Sequence, residues 1–415
     1  MNKEPYQTNA ELTLSEFRTP HAEISIALPA SKSISNRVLL LNALSQSPHE
    51  VSNLSDCEDT TVMRRALLSH EHTIDIHAAG TAMRFLTAYF SHLEGERTIV
   101  GTARMCQRPI KLLVDALRHL GAHISYEKAD GFPPLRIAGT TLRGGTVHLA
   151  GGVSSQYISA LLMLAPLMEQ GLQLHIEGTP LSRPYIQLTL ALMEQYGVHT
   201  SWEGDTISIR PQTYLPTPFT VESDWSAASY WYELMALSPH GGDFLLKGLQ
   251  ANSLQGDAAV AKMFEPLGVA TQYTPEGVRL RQQHKSCQHL HLDFADQPDL
   301  AQTLVCTCIG LNIPFRFTGL QSLRIKETDR IAALQNEAAK MGYLLQHTGD
   351  TTLEWSGERI PAAANPLIET YEDHRMAMSF APLTLVHEGS LRIANPGVVR
   401  KSYPTFWEQF SMLKA

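Results

Sequence analysis

The chain has 415 residues, more than one hydrophobic core normally organises, so its length predicts two domains. Hydrophobic residues make up 43% and charged residues 18% of the sequence, which is typical of a folded protein and excludes a largely disordered one. The formal net charge of −8 lacks the basic footprint of a nucleic-acid-binding protein, so any site for anions must be built locally.

Targeting signals and cysteine usage favour a cytoplasmic protein. Residues 1–5 lack the apolar stretch of a signal peptide, and the longest apolar run, around 161–168, is far shorter than the roughly 18 residues of a membrane span. Five cysteines are few and odd in number, which indicates a reducing compartment without a disulfide framework. Cys306 and Cys308 lie in an apolar run and are predicted to be core residues rather than metal ligands.

Three predicted helices begin with small or hydroxyl-bearing residues. The first helix follows Lys32, Ser33 and Arg37, the second starts at 79–84, and the third follows 151–156. Free backbone N–H groups and the helix dipole favour an anion at such starts. Ordinary capping explains each start alone, whereas its recurrence in three helices favours a phosphate site.

Cationic residues occur at two further predicted helix starts, where structure alone does not favour them. Arg104 and Arg108 precede a helix and oppose its dipole. Lys326 and Arg330 are like charges four residues apart. A bound anion would relieve both conflicts, although a solvated charged surface explains each motif taken singly.

Two carboxylates and two later segments complete the candidate residues. Glu327 lies beside a lysine and is a candidate proton carrier, because a neighbouring charge tunes its pKa. Asp299 precedes a predicted helix and is either a cap or a catalytic group. Residues 372–375 are four ionisable groups in a row, and Arg400 and Lys401 lie near the C-terminus.

A helix that ends at a glycine and is followed at once by a strand occurs four times. The glycines, expected in the left-handed conformation that ends helices, are 71 to 76 residues apart: Gly121, Gly197, Gly268 and Gly342. Hairpin turns are predicted at 203–205, 275–277 and 348–350, and a copy without the glycine is predicted around 66–76. The repeat indicates an α/β protein with two similar domains, each of about three units, with a ligand cleft between them.

The motifs at 31–37 (Ser-Lys-Ser-x-Ser-Asn-Arg), 326–330 (Lys-Glu-Thr-Asp-Arg) and 373–378 (Asp-His-Arg-Met-Ala-Met) resemble the enolpyruvyl transferases. The resemblance extends from about 28 to 410 and is strongest to the branch that acts on shikimate-3-phosphate. It implies two domains of the inside-out α/β barrel type, each of three βαβαββ repeats, that close around an interdomain active site. The implied domains are 1–31 with 222–415, and 32–221.

The same resemblance implies the site residues. Shikimate-3-phosphate would contact Lys32, Ser33, Arg37, Ser154, Ser155, Gln156, Ser182, Tyr185, Asp299 and Lys326. Phosphoenolpyruvate would contact Lys32, Gly80, Arg108, Gln156, Arg330, Arg375 and Lys401. Asp299 would remove the proton from the attacking 5-hydroxyl, and Glu327, with Lys32 as a candidate helper, would protonate the methylene carbon. The resemblance also implies that no metal or organic cofactor is needed. The protein is expected to be a monomer, and its net charge and short apolar runs predict that it binds neither nucleic acid nor membrane.

Three positions depart from the family pattern: Ala78 in place of the usual Asn, Phe85 in place of Pro, and Ser322 in place of a frequent Asn. Two other functions remain open. The branch that acts on UDP-N-acetylglucosamine carries a reactive Cys where this chain has Ala103. A non-catalytic anion-binding protein would explain the cations but leaves Asp299 and Glu327 without roles.

Overall fold

The computed structural model describes residues 10–15, 17 and 23–413, so the prediction made on residues 1–5 lies outside it. Within the described residues, no helix is long and apolar enough to cross a membrane. All five cysteines are free thiols. Cys306 and Cys308 are fully buried, which confirms their assignment to the core.

The described residues form nineteen short strands. In chain order they are β1 (Glu11–Leu14), β2 (Glu23–Ala27), β3 (Thr73–Asp75), β4 (Gly95–Val100), β5 (His123–Tyr126), β6 (Leu135–Gly139), β7 (Gly145–Ala150), β8 (Leu172–Glu177), β9 (Ser201–Glu203), β10 (Thr206–Ile209), β11 (Asp243–Lys247), β12 (Val269–Thr274), β13 (Gly277–Gln282), β14 (Leu290–Asp293), β15 (Phe315–Thr318), β16 (Gln346–Thr348), β17 (Thr352–Trp355), β18 (Leu367–Ile368) and β19 (Leu391–Ala394). Many alternate buried and exposed side chains, as expected for strands with one face in a core.

Twelve α-helices lie within the same described residues. They are α1 (Lys32–Leu44), α2 (Glu58–Leu68), α3 (Gly80–His92), α4 (Lys111–His119), α5 (Ser155–Leu164), α6 (Arg183–Gln195), α7 (Trp225–Leu237), α8 (Val260–Phe264), α9 (Ala301–Gly310), α10 (Arg330–Lys340), α11 (His374–Phe380) and α12 (Phe406–Phe410). Short 3-10 turns precede or follow several of them.

Four of the five sheets share one strand order, which reveals the repeat. In β3-β4-β6-β5, β7-β8-β10-β9 and β14-β15-β17-β16, two parallel strands are followed by an antiparallel hairpin, with a helix in each crossover. The sheet β2-β11-β13-β12 has the same order, but its first strand comes from the beginning of the chain. These sheets are βαβαββ units.

The helix-ending glycines are confirmed in the left-handed conformation. Their φ angles are +108°, +80°, +93° and +87° at Gly121, Gly197, Gly268 and Gly342. The strands β5, β9, β12 and β16 follow them, and the three predicted turns join β9–β10, β12–β13 and β16–β17. Around 66–76, α2 is followed by β3 as expected, but β3 pairs in parallel with β4 and forms no hairpin.

The described residues fall into two compact units. The split unit comprises Met1–Pro29 and Glu222–Ala415, and the inserted unit comprises Ala30–Val221. Each contains two complete βαβαββ sheets and a shortened third repeat. In the split unit the third is the sheet β1-β19-β18. In the inserted unit it is reduced to a parallel bridge between Ser52 and Thr220, together with α1 and α2.

Each unit has its own hydrophobic core with helices inside it. In the split unit, every residue of α9 from Ala301 to Ile309 is buried, as is nearly all of α7. In the inserted unit, α3 and α5 are enclosed in the same way. Helices that are apolar on all sides are buried. The candidate motifs lie at the starts of several of these helices.

Candidate active site

In the inserted unit, the first candidate residues lie in the first turn of α1. Ser31 is the N-cap, and its hydroxyl accepts a hydrogen bond from the backbone N–H of Ile34 at 3.4 Å. Lys32 Nζ lies 3.4 Å from Asp59 Oδ2, and both side chains are largely buried. Ser33 is half-buried. Asp59 was not identified from the sequence because no motif surrounds it.

Arg37 is almost completely buried and joins three helices. Its guanidinium donates to Thr189 Oγ1 at 2.7 Å, to Ser159 Oγ at 3.1 Å, and to the carbonyls of Ser33 and Tyr185 at 3.0 and 3.3 Å. Burial lowers the pKa of Arg37 to about 10, so the group stays charged at neutral pH. Arg37 therefore holds α1 against α5 and α6, and its contact with substrate stays a prediction.

Gly80 and Arg108 lie against each other. A Cβ at Gly80 would lie only 2.5 Å from Arg108 Nη1, so this approach of the guanidinium to the start of α3 requires a residue without a side chain. Gln156 Nε2 donates to Thr81 Oγ1 at 3.1 Å and links the start of α5 to that of α3. The structure thus brings Gly80, Arg108 and Gln156 into one neighbourhood.

The remaining candidates of the inserted unit also lie at helix starts. Ser154 is the N-cap of α5 and accepts from the backbone N–H of Gln156 at 3.3 Å, with Ser155 as the first helical residue. Ser182 precedes α6 in the left-handed conformation, with φ of +55°, and its hydroxyl makes no capping bond. Tyr185 lies in the first turn of α6. The hydroxyl-rich helix starts predicted from the sequence are confirmed as helix starts.

The three departures from the family pattern lie in different surroundings. Ala78 is exposed, directly before the N-cap of α3. Phe85 is fully buried, and the guanidinium carbon of Arg37 lies 5.4 Å from the centre of its ring. Ser322 is half-buried in the 3-10 turn Gln321–Ile325. Phe85 therefore packs against the buried arginine rather than disturbing the helix.

In the split unit, Asp299 is held by three cations. Its Oδ1 lies 3.1 Å from Arg330 Nη1 and 3.6 Å from Lys326 Nζ, and its Oδ2 lies 2.9 Å from Arg375 Nη2. The residue lies in the 3-10 turn Pro298–Leu300 and keeps 21% of its side chain exposed. The N-cap of α9 is Leu300, which makes no side-chain cap, so the interpretation of Asp299 as a cap is wrong.

Arg330 connects three carboxylates and is 1% exposed. Besides Asp299, its Nε lies 2.7 Å from Asp373 Oδ2 and its Nη2 lies 3.0 Å from Glu327 Oε2. Burial opposes its charge, but the carboxylates outweigh that effect and raise the pKa of Arg330 above its ordinary value. Lys326 and Arg330 share Asp299, so the repulsion noted in the sequence is already relieved by this carboxylate.

One further cation, Lys401, and a tyrosine hydroxyl extend the network. Lys401 Nζ lies 3.3 Å from Glu327 Oε1, and Arg375 donates to the hydroxyl of Tyr230 at 3.3 Å. Burial lowers the pKa of Lys326, although the charge of Asp299 opposes this shift. One contiguous network therefore includes every candidate of this unit: Asp299, Lys326, Glu327, Arg330, Arg375 and Lys401.

Sequence reasoning missed one carboxylate beside this network, Asp257, and did not foresee the partners of another, Asp373. Asp257 is 3% exposed and accepts from the hydroxyl of Ser226. Burial and the charge of Asp299 raise the pKa of Asp257 to about 6. Asp373 lay in a motif that was noted, but its partners were not foreseen: it caps α11 through the N–H of Arg375 and binds Arg330. Among the described residues, no group of three or more His, Cys, Asp or Glu is arranged to hold a metal ion.

Duplicated βαβαββ sheets with hydroxyls, cations and carboxylates near their helix starts define an α/β protein whose polar groups suit anionic ligands. The profile of the family described as EPSP synthase (3-phosphoshikimate 1-carboxyvinyltransferase) matches residues 20–69 and 64–410. The chain therefore belongs to the EPSP synthase family, which confirms the resemblance to the enolpyruvyl transferases.

Relatives and solved structures agree with this membership. The chain is 57% identical to a 3-phosphoshikimate 1-carboxyvinyltransferase of Bacteroides fragilis, over 92% of this chain and 93% of the relative. It is 36% identical to the protein of that name from Shewanella halifaxensis, over 94% and 96%. Its fold matches the structure of EPSP synthase from Acinetobacter baumannii with a TM-score of 0.76 at 22% identity, over 97% and 98% of the two chains. The expected fold class is thereby confirmed.

Proposed function

We propose that this chain transfers the enolpyruvyl group of phosphoenolpyruvate to the 5-hydroxyl of shikimate-3-phosphate and releases inorganic phosphate. This step belongs to the route to chorismate and the aromatic amino acids. Family membership supports the reaction, since relatives over more than nine-tenths of the chain carry its name. No metal or organic cofactor takes part in the proposed chemistry.

The observation that carries this proposal is the attachment of Asp299 and Glu327 to one buried guanidinium. Arg330 contacts both, at 3.1 and 3.0 Å. The addition needs a base that removes a hydroxyl proton and an acid that protonates carbon. Two carboxylates fixed on a single cation are held at a constant separation, as positioned acid–base catalysis requires.

The proposed steps assign one role to each carboxylate. Asp299 removes the proton as the 5-oxygen attacks C2 of phosphoenolpyruvate, and Glu327, with Lys32 as a candidate helper, protonates C3 to a methyl group. Glu327 then takes a methyl proton back as the tetrahedral product expels phosphate, which restores the double bond. Arg330, Arg375, Lys401 and Arg108 stabilise the phosphate and carboxylate charges.

Substrate binding is proposed for the remaining candidates. Shikimate-3-phosphate is bound by hydroxyl, amide and cationic groups at Lys32, Ser33, Arg37, Ser154, Ser155, Gln156, Ser182, Tyr185 and Lys326. Phosphoenolpyruvate is bound at Lys32, Gly80, Gln156 and the four cations named above. Helix starts suit the first ligand because their free N–H groups complement a phosphate.

The assembly and location of the protein are part of the same proposal. We propose a cytoplasmic monomer whose two domains are 1–31 with 222–415, and 32–221. The five free thiols support a reducing compartment. Sedimentation at working concentration tests the monomer, and a purified chain that sediments as a larger species would contradict it.

The decisive experiment measures phosphate release by the purified chain. Turnover is expected with shikimate-3-phosphate and phosphoenolpyruvate together, and with neither alone. Phosphate release with UDP-N-acetylglucosamine as acceptor would instead support the other branch of the family. Binding of both ligands without release of phosphate would identify a non-catalytic anion-binding protein and refute the proposal.

A further inference from the structure

A turn with an unusual backbone precedes Asp373. The N–H of Asp373 donates to the carbonyl of Thr370 at 2.8 Å, and the two residues between them, Tyr371 and Glu372, have φ of +52° and +57°. This is the pattern of a type I′ turn, whose central positions are normally Gly, Asn or Asp. A tyrosine and a glutamate adopt it against the preference of their own backbones.

The turn is fastened to α10 by a fully buried carboxylate. Glu337 Oε1 accepts from the hydroxyl of Tyr371 at 2.7 Å, and Oε2 accepts from the backbone N–H of Glu369 at 2.9 Å. Lys340 Nζ donates to Glu337 Oε2 at 2.6 Å and to the carbonyl of Leu367 at 2.8 Å. The segment that leads into the turn is therefore held at three successive points.

Asp373, which ends the turn, contacts two of the candidate cations, Arg330 and Arg375. Asp373 is fully buried, binds Arg330 at 2.7 Å and caps α11 through the N–H of Arg375. Both arginines in turn contact Asp299. A displacement of the turn is thus transmitted through one carboxylate to the groups proposed to bind phosphoenolpyruvate.

We propose that Glu337 and Tyr371 are positioning residues for the reaction. Their hydrogen bond holds the Thr370–Asp373 turn in its left-handed conformation and so fixes Asp373, Arg330 and Arg375. Neither residue belongs to the substrate contacts assigned above. This inference rests on the proposed function, because its main measurement is turnover.

Two properties of Tyr371 fit this role. The residue is 36% exposed, so its contribution through burial is limited, and its hydroxyl makes the hydrogen bond to Glu337. Burial and the bond to Glu337 raise the pKa of Tyr371 to about 12, so the phenol keeps its proton at working pH. It therefore donates to Glu337 throughout the range in which the enzyme is assayed.

The test compares Tyr371→Phe with the wild type. Loss of the hydroxyl releases the turn, and the KM for phosphoenolpyruvate is expected to rise about tenfold because Arg330 and Arg375 are displaced. A fall in kcat is expected with it, since Arg330 also holds Asp299 and Glu327. Tyr273→Phe, at an exposed tyrosine on β12 of the same unit, is the matched control and keeps the wild-type KM. Glu337→Gln, which cannot accept all three donors, raises the same KM.

A second substitution separates positioning from general destabilisation. Glycine adopts positive φ without steric cost, so Glu372→Gly removes part of the backbone strain that the Tyr371–Glu337 hydrogen bond counteracts. The double variant Tyr371→Phe with Glu372→Gly is expected to recover a KM within about threefold of the wild type. A loss of folded protein alone would lower the maximal rate and leave the KM unchanged.

The outcomes also distinguish this inference from the proposed function. A wild-type enzyme that releases no phosphate would refute the proposed function. If the wild type is active and Tyr371→Phe keeps the same KM for phosphoenolpyruvate, the proposed positioning role of the Tyr371–Glu337 hydrogen bond is refuted. A raised KM that Glu372→Gly fails to restore would likewise refute the role of the strained turn.

Discussion

The candidate residues of the two units differ in the functional groups they carry and in the contacts they make. In the split unit, cations and carboxylates alternate: Arg330 contacts three carboxylates, and Asp299 contacts three cations. In the inserted unit, hydroxyls, amides and backbone N–H groups predominate, and its most buried cation, Arg37, is bound by hydroxyls and carbonyls. The two units therefore differ in charge density although they share one repeat.

This difference indicates a division of labour. Closely coupled charges are suited to proton transfer, because each carboxylate is held and polarised by its neighbours. Neutral donors at helix starts are suited to binding an anion without large desolvation of their own. Substitution of the carboxylates Asp299 and Glu327 in the split unit is therefore expected to affect turnover, and substitution at the helix starts of the inserted unit is expected to affect substrate affinity.

The largest effect is expected from Asp299→Asn. The amide retains the shape but cannot remove a proton, and turnover is expected to fall by about 10³-fold. Steady-state phosphate release measures this. Asp350→Asn, at an aspartate whose side chain is 80% exposed in the same unit, is the control and stays near the wild-type rate. A wild-type rate in Asp299→Asn would show that Asp299 is not the base, and it would contradict the assignment of proton transfer to the split unit.

The next effect is expected from Glu327→Gln. The variant keeps an acceptor for Arg330 and Lys401 but loses the acidic proton, so turnover is expected to fall about 10²-fold with a smaller change in KM. Rapid-quench measurement of a single turnover separates the chemical step from product release. Glu276→Gln, in an exposed hairpin turn, serves as the control. An effect confined to KM would make Glu327 a binding group.

A pH measurement sharpens the comparison through Asp257. Because its pKa is raised to about 6 from an ordinary 3.8, the folded protein binds this proton more tightly than the unfolded chain. Its contribution therefore lowers the free energy of unfolding as pH rises from about 4 to 6, by about 2 kcal/mol, or a factor of about thirty. Asp257→Asn is expected to lose this decline in urea unfolding, whereas Asp350→Asn keeps it. Identical pH profiles for Asp257→Asn and the wild type would show that the pKa of Asp257 is not raised in the folded protein.

The smallest effect is expected from Gly80→Ala in the inserted unit. The added methyl would meet the end of the flexible Arg108 side chain at 2.5 Å, so the guanidinium moves and the fold survives. The KM for phosphoenolpyruvate is expected to rise about tenfold with kcat little changed. Gly242→Ala, whose methyl makes ordinary contacts in the split unit, is the control. A fall in kcat without a change in KM would contradict the proposed division.

Local features of the fold were predictable where one residue decides the conformation. The helix-ending glycines and the turns 203–205, 275–277 and 348–350 follow from backbone chemistry within a few residues. The third repeat of each unit was not predictable in its shortened form. In the split unit, the strands of this repeat pair residues such as Leu12 and Ile393, which no local sequence pattern relates.

Sequence motifs identified many residues of the candidate site, but they did not reveal which residues those side chains contact. Lys326, Glu327 and Arg330 were identified together because they are adjacent in sequence. Asp257 and Glu337 were missed, since an isolated carboxylate in a helix resembles any surface acid until its burial is known. The burial of Arg37 was also hidden, because its partners Ser159 and Thr189 lie more than 120 residues away.

The strand order of the sheet β2-β11-β13-β12 has a consequence for synthesis of the chain. The strand Glu23–Ala27 leaves the ribosome early, but its parallel partner Asp243–Lys247 follows only after the whole of Ala30–Val221. Domains generally fold as units during synthesis, and distant strand pairings form slowly. We therefore expect the inserted unit to fold first, while this early strand stays unpaired and depends on protection from aggregation until its partner emerges.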